Sequence, residues 1–295
     1  MTLRGFIAGL ATMGALLWLA TPARAASPGD GAAFENVPEL AGGFRLLYEQ
    51  KFPEARAAFL GWDSQHPDDP FGHVAIAASY LFEEFYIQGV LTGDFFLDDK
   101  KFLRGIDGKP DAARMAAFYA ALQEARSDAN VRLRANRSDP EALFALTLAA
   151  GMESDALSIL EHRQFDSLRQ VKSADASAKR LLTLRPDVAD AWLALGAANY
   201  TLGSLSGPKR LVLWLGGIHG NRELGMEQLR KTSMDGRYLR PFAKILLALA
   251  ARREKQDDLA RKLLRELTEE FPASPLFAVE YAHAMGGSVP AALKR

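Results

Sequence analysis

Twelve residues separate Ala55 from Pro67, Ala174 from Pro186 and Ala260 from Pro272. Each interval carries apolar side chains at helical spacing and ends at a residue that cannot continue a helix, so the three read as copies of one unit. The fullest copy covers residues 173–198. Ala174, Ala178 and Leu181 share one helical face, the helix stops at Pro186, and Trp192, Leu195 and Gly196 open the next one. Small residues at Ala174 and Gly196 let two antiparallel helices approach closely, while Trp192 and Leu195 fill the space beside them. One such hairpin cannot bury its apolar face alone, so copies must stack on one another. The expected fold is all-α.

The other copies are less complete. Leu40, Phe44, Leu47 and Tyr48 form the apolar face of a first helix, Gln50 and Lys51 mark a turn, and Ala55 and Phe59 face the core from a second helix. Near the C-terminus Ala260 and Leu264 take the equivalent places, and Arg253 reads as a solvent-facing residue of the helix before them. The copies are unevenly placed: Pro67 and Pro186 lie 119 residues apart (186 − 67), and Pro186 and Pro272 lie 86 apart (272 − 186). Neither is a multiple of a period of about 34 residues. Two segments that break the helical pattern, 93–110 and 203–220, account for the excess. Gly151 is expected to end or bend the helix that Pro140 begins.

The first twenty-five residues read as a cleaved secretory leader. Arg4 precedes an apolar run containing Leu16, Leu17, Trp18 and Leu19, and Ala23, Arg24 and Ala25 form a small-x-small cleavage site. Export is therefore expected, into a bacterial periplasm. Residues 26–37, rich in Gly, Ala and polar side chains, read as a flexible lead; 38–286 form the helical body and 287–295 a tail. The chain has no cysteine, which excludes disulfides, thiolate metal sites and a lipidated N-terminal cysteine. With 36 basic and 36 acidic residues there is no electrostatic case for nucleic acid.

Few residues suggest chemistry. The five histidines, His66, His73, His162, His219 and His283, show no metal-ligand spacing, and no phosphate-binding glycine loop is present. No cofactor or metal is expected. Glu83 and Glu84 sit in an aromatic stretch with Tyr80. Two carboxylates near aromatic rings could do acid-base work if burial raised a pKa, but recognition of a partner on a concave surface is the favoured role for Tyr80, Glu83 and Glu84. The segment 208–217 is unusual: Lys209 and Arg210 precede five large apolar residues, 211–215, including Leu213 and Trp214. It is expected to pack on the helical body; the alternative is docking on a membrane surface or in a membrane complex.

Trp192, Leu195 and Gly196, with the recurring Ala-to-Pro interval, resemble the tetratricopeptide repeat family. The chain departs from that pattern at Asn199, where the motif has an aromatic residue that appears here one position later as Tyr200. The resemblance implies a right-handed α-solenoid of stacked antiparallel hairpins. It further implies a non-enzymatic scaffold or adaptor that binds a protein partner.

Overall fold

Proline starts many of the helices. Pro38, Pro70, Pro140 and Pro275 each take the first position of a helix and Pro241 the second, where no backbone N–H is needed and φ is already helical. Just ahead of three of them, Asp69, Asp139 and Ser274 accept a backbone N–H from Phe71, Ala142 and Phe277 respectively. The computed structural model describes residues 31–205 and 219–286, and among the described residues the chain is all-helical, with thirteen α-helices and no strand.

Ten of these helices pair as antiparallel hairpins. α1 (Pro38–Tyr48) pairs with α2 (Phe52–Asp63). α3 (Pro70–Ile87) is followed by two short helices, α4 (Gly93–Leu97) and α5 (Asp99–Arg104), and then by its partner α6 (Ala112–Ala135). α7 (Pro140–Asp155) continues as a π turn (Ala156–Leu160) and pairs with α8 (Gln164–Leu184). α9 (Trp192–Gly203) pairs with α10 (Arg222–Asp235), and α11 (Arg240–Arg253) with α12 (Asp257–Glu270). α13 (Pro275–Ala284) packs on α12 and ends the described helices. Gly151 neither ends nor breaks α7, and nothing lies within 4 Å of the place its Cβ would take. The segment from Pro140 to Leu160 is long and apolar enough to cross a membrane, but 61 % of its apolar window is buried inside the protein, as a central core helix requires.

The turns within the hairpins share a backbone feature that residue identity conceals. Gln50 between α1 and α2, His162 between α7 and α8, and Lys255 between α11 and α12 all have φ 58°, and Gly89 after α3 has φ 70°. A left-handed residue is a common way to stop a helix, but non-glycine residues adopt it at a cost. The same device therefore ends the first helix of four hairpins, although Gln, His and Lys have little else in common.

Residues far apart in sequence meet at Tyr238. Its ring lies 5.1 Å from Phe44 and 5.3 Å from Phe71, and Phe71 in turn lies 5.7 Å from Phe144. Tyr48 donates to the carbonyl of Tyr238 at 2.8 Å and packs on Phe271 at 5.5 Å. Asp190, in a short 3-10 turn before α9, accepts the backbone N–H groups of Arg237 and Tyr238 at 2.9 and 3.0 Å. The first hairpin thus packs against the last ones, and one apolar core runs through the molecule.

Of the expected flexible lead (26–37), the described residues 31–37 are packed against this core. Ala33 and Phe34 are buried, with Phe34 against Phe144 at 5.7 Å. The Tyr238 hydroxyl donates to the carbonyl of Glu35 at 2.7 Å and accepts the N–H of Val37 at 3.1 Å. Gly31 lies so close to the Glu141 carboxylate that any side chain there would collide with it. A polar composition hid a segment anchored by one aromatic residue and its backbone. The leader (1–25), residues 26–30 and the tail (287–295) lie outside the described residues.

Candidate functional site

Glu83 and Glu84 lead the sequence-derived candidates, and α3 directs them sideways to its neighbours. Glu84 is fully buried. Its carboxylate takes a charge-assisted hydrogen bond from Arg114 of α6 at 2.5 Å, one from the Gln88 amide at 2.8 Å and one from the N–H of Asp111 at 3.2 Å. Glu83 pairs with Arg56 of α2 and lies 3.3 Å from Arg114. Burial disfavours the charge on Arg114, but hydrogen bonding to Glu84 and the two carboxylates outweigh it and hold its pKa above the usual arginine value. Arg56 also stacks on the Tyr80 ring at 3.9 Å. The three residues therefore join α2, α3 and α6, and the expectation that Glu84 faces a partner is corrected: its oxygens are satisfied inside the fold.

A second polar junction lies between the same three helices. His73 of α3 has Asp63 of α2 3.3 Å from Nε2 and Asp128 of α6 3.2 Å from Nδ1. Burial pushes both aspartates up, His73 opposes the rise, and nearby Glu124 and Asp69 or Asp68 add to it. The two ring nitrogens point to opposite sides, so they cannot converge on one cation. No group of three or more ligating side chains able to hold a metal occurs among the described residues.

The repeat-signature residues occupy the hairpin interfaces. Ala55, Phe59, Ala174, Ala260, Leu195 and Leu264 are all buried. Phe59 lies against Gly43 and meets Phe44 at 5.1 Å. Trp192 opens α9 with Lys231 of α10 4.4 Å above its ring. A Cβ on Gly196 would lie 2.9 Å from the backbone nitrogen of Leu229, and one on Gly225 would strike the backbone of Tyr200. Gly203 and Gly220 make a similar approach where the chain leaves α9 and returns before α10. Leu213 and Trp214, between those two glycines, lie outside the described residues.

Two features escaped sequence reasoning. Arg253, expected to face solvent, donates to the carbonyl of Phe96 at 2.7 Å and pairs with Asp99, tying α11 to the 93–110 segment. Asp190 is buried, and burial outweighs its three N–H donors and pushes its carboxyl up to about 6. Both depend on partners about 50 to 155 residues away, which no local pattern carries. No protein-family model matches this chain, and no curated protein shows significant similarity to it.

Proposed function

We propose that this chain is an exported, non-enzymatic scaffold of tetratricopeptide-like hairpins that binds a protein partner. In this reading the hairpins form a right-handed α-solenoid, wound tightly enough for the first hairpin to touch the last. The observation that carries it is the contact at Gly196: the glycine of the W-x2-L-G stretch is where α9 and α10 approach backbone to backbone. Recurring left-handed turns at Gln50, His162 and Lys255 give the repeat independent support. The carboxylate pair that would serve an enzyme is committed to helix joining through Arg56 and Arg114.

Repeat scaffolds present stacked helices as a broad binding surface, and fold alone does not assign a task. The proposal is therefore tested by cross-linking the full chain in the exported fraction of producing cells and identifying what it joins. A discrete complex with one protein supports the scaffold reading, whereas a chain recovered only as free monomer counts against it.

A further inference from the structure

Residues 31–37 lie ahead of α1 and belong to no helix. Within them the N–H groups of Phe34 and Glu35 both turn back to the carbonyl of Gly31, at 2.8 and 3.1 Å. Three contacts to a distant part of the chain converge on a single atom, the Tyr238 hydroxyl, which lies 3.2 Å from the carbonyl of Ala32, 2.7 Å from that of Glu35 and 3.1 Å from the N–H of Val37. One hydroxyl proton cannot fully serve two carbonyls. Ala33 and Phe34 are the buried residues of the segment, whereas Glu35 and Asn36 are exposed. α1, which follows at once, buries Leu40, Phe44, Leu47 and Tyr48.

The seat beneath this segment is held by other residues. Asp190 accepts the N–H of Tyr238, Tyr48 donates to its carbonyl, and its ring packs on Phe44 and Phe71, so the hydroxyl is aimed without help from the segment. Phe144, against which Phe34 lies, is backed by Phe71. Arg185, just past α8, stands 5.4 Å over the Phe34 ring. The wall at Gly31 is less well matched. The Glu141 carboxylate is buried and paired with Arg132 through one oxygen, while Oε1, which faces Gly31, has no hydrogen-bond partner among the described residues. A buried acceptor left unpaired carries a cost that water relieves when the segment leaves.

We infer that residues 31–37 are a latch: they unseat while the helical body stays folded, and the seat at Tyr238, Phe144 and Arg185 then takes a peptide segment of the partner, with an aromatic side chain in the place of Phe34 and its backbone on the Tyr238 hydroxyl. A segment held by one ring and one hydroxyl, beside a body held by a continuous core, opens at a lower free energy than that body. Main-chain hydrogen bonds combined with a pocket for one side chain are a recurring way to hold a peptide. The occupant in the structure shows the chemistry the seat accepts, an aromatic ring preceded by the small residues Gly31, Ala32 and Ala33. This inference rests on the scaffold reading and deepens it by giving the partner segment a place and a character.

Hydrogen exchange on the full-length protein tests the opening. The amides of Phe34, Glu35 and Val37 should be less protected than those of Phe44 and Leu47 in α1 by about tenfold or more; equal protection, meaning that the two open only together, overturns the latch. A synthetic peptide of residues 31–37, GAAFENV, with a dye at its C-terminal end, tests the seat. A tethered segment competes at an effective concentration of millimolar order, so the parent should exclude the peptide, while Phe34→Ala, whose own latch has lost its anchor, should bind it about tenfold more tightly or better. The peptide with Ala in place of its Phe should bind neither chain. Adding Tyr238→Phe to Phe34→Ala keeps the ring, removes the hydroxyl and should weaken peptide binding about tenfold. A Phe34→Ala chain that loses its helical circular dichroism shows the segment to be part of the core and overturns the latch. So does a folded variant that ignores the peptide, or one that binds it no better than the parent. A partner captured by cross-linking while these tests fail leaves the scaffold reading standing; peptide bound with no partner captured counts against that reading alone.

Discussion

Gly196 of α9 meets Leu229 of α10 so closely that a Cβ on the glycine would lie 2.9 Å from the leucine's backbone nitrogen. A backbone atom cannot swing aside as a side chain can. Gly196→Leu should therefore destabilise by roughly 1–3 kcal/mol or more through overpacking. Gly61, exposed in α2 with nothing within 4 Å of its Cβ position, supplies the opposite case. Gly61→Ala should gain about 0.5–1 kcal/mol from helix propensity. Urea midpoints should move in opposite directions, and parallel shifts would remove the close-approach argument.

The Glu84–Arg114 pair should behave as a buried ion pair whose partners depend on each other. Glu84→Ala leaves Arg114 without its 2.5 Å partner and should cost about 3 kcal/mol or more. Adding Arg114→Ala should cost less than the two single losses combined. A double-mutant cycle in urea measures the coupling, and additive losses would show that the pair holds nothing together.

The parts of this fold legible in the sequence are those set by neighbours within one hairpin. Ala174, Ala178 and Leu181 face the core as their spacing requires, and α9 begins at Trp192 as the signature implies. Residues whose role depends on distant partners were not legible. Phe34 is buried by Phe144 and Glu84 is neutralised by Arg114, and neither relation leaves a periodic trace. The shared turn at Gln50, His162 and Lys255 was hidden for a different reason: a backbone conformation recurs with no recurring residue.

Asp190 should impose a pH dependence on stability. Burial raises its folded pKa to about 6, whereas an unfolded aspartate titrates near ~4. The folded state keeps the proton longer, so the contribution is fully present below about pH 4 and is lost as pH rises through about 6. The change is on the order of 3 kcal/mol. Asp190→Asn should remove that fall, making the variant progressively more stable relative to the parent between about pH 4 and 6. Urea unfolding at several pH values checks this; a constant difference across the window would contradict it.

Export makes a separate prediction. Cleavage after Ala25 leaves a mature chain beginning at Ala26, five residues before Gly31 docks on Glu141. Intact-mass measurement of the exported protein should find that N-terminus. Retention of Met1, or recovery only from the cytoplasm, would contradict the leader.

The scaffold reading is tested most directly by quantitative cross-linking of the full chain in the exported compartment, comparing the parent with Gly196→Leu. A stacked-hairpin scaffold predicts one discrete heteromeric product from the parent, reduced in proportion to the folded fraction lost in the variant. A parent chain found only as un-cross-linked monomer, or one whose product is unchanged when the variant has unfolded, would contradict it.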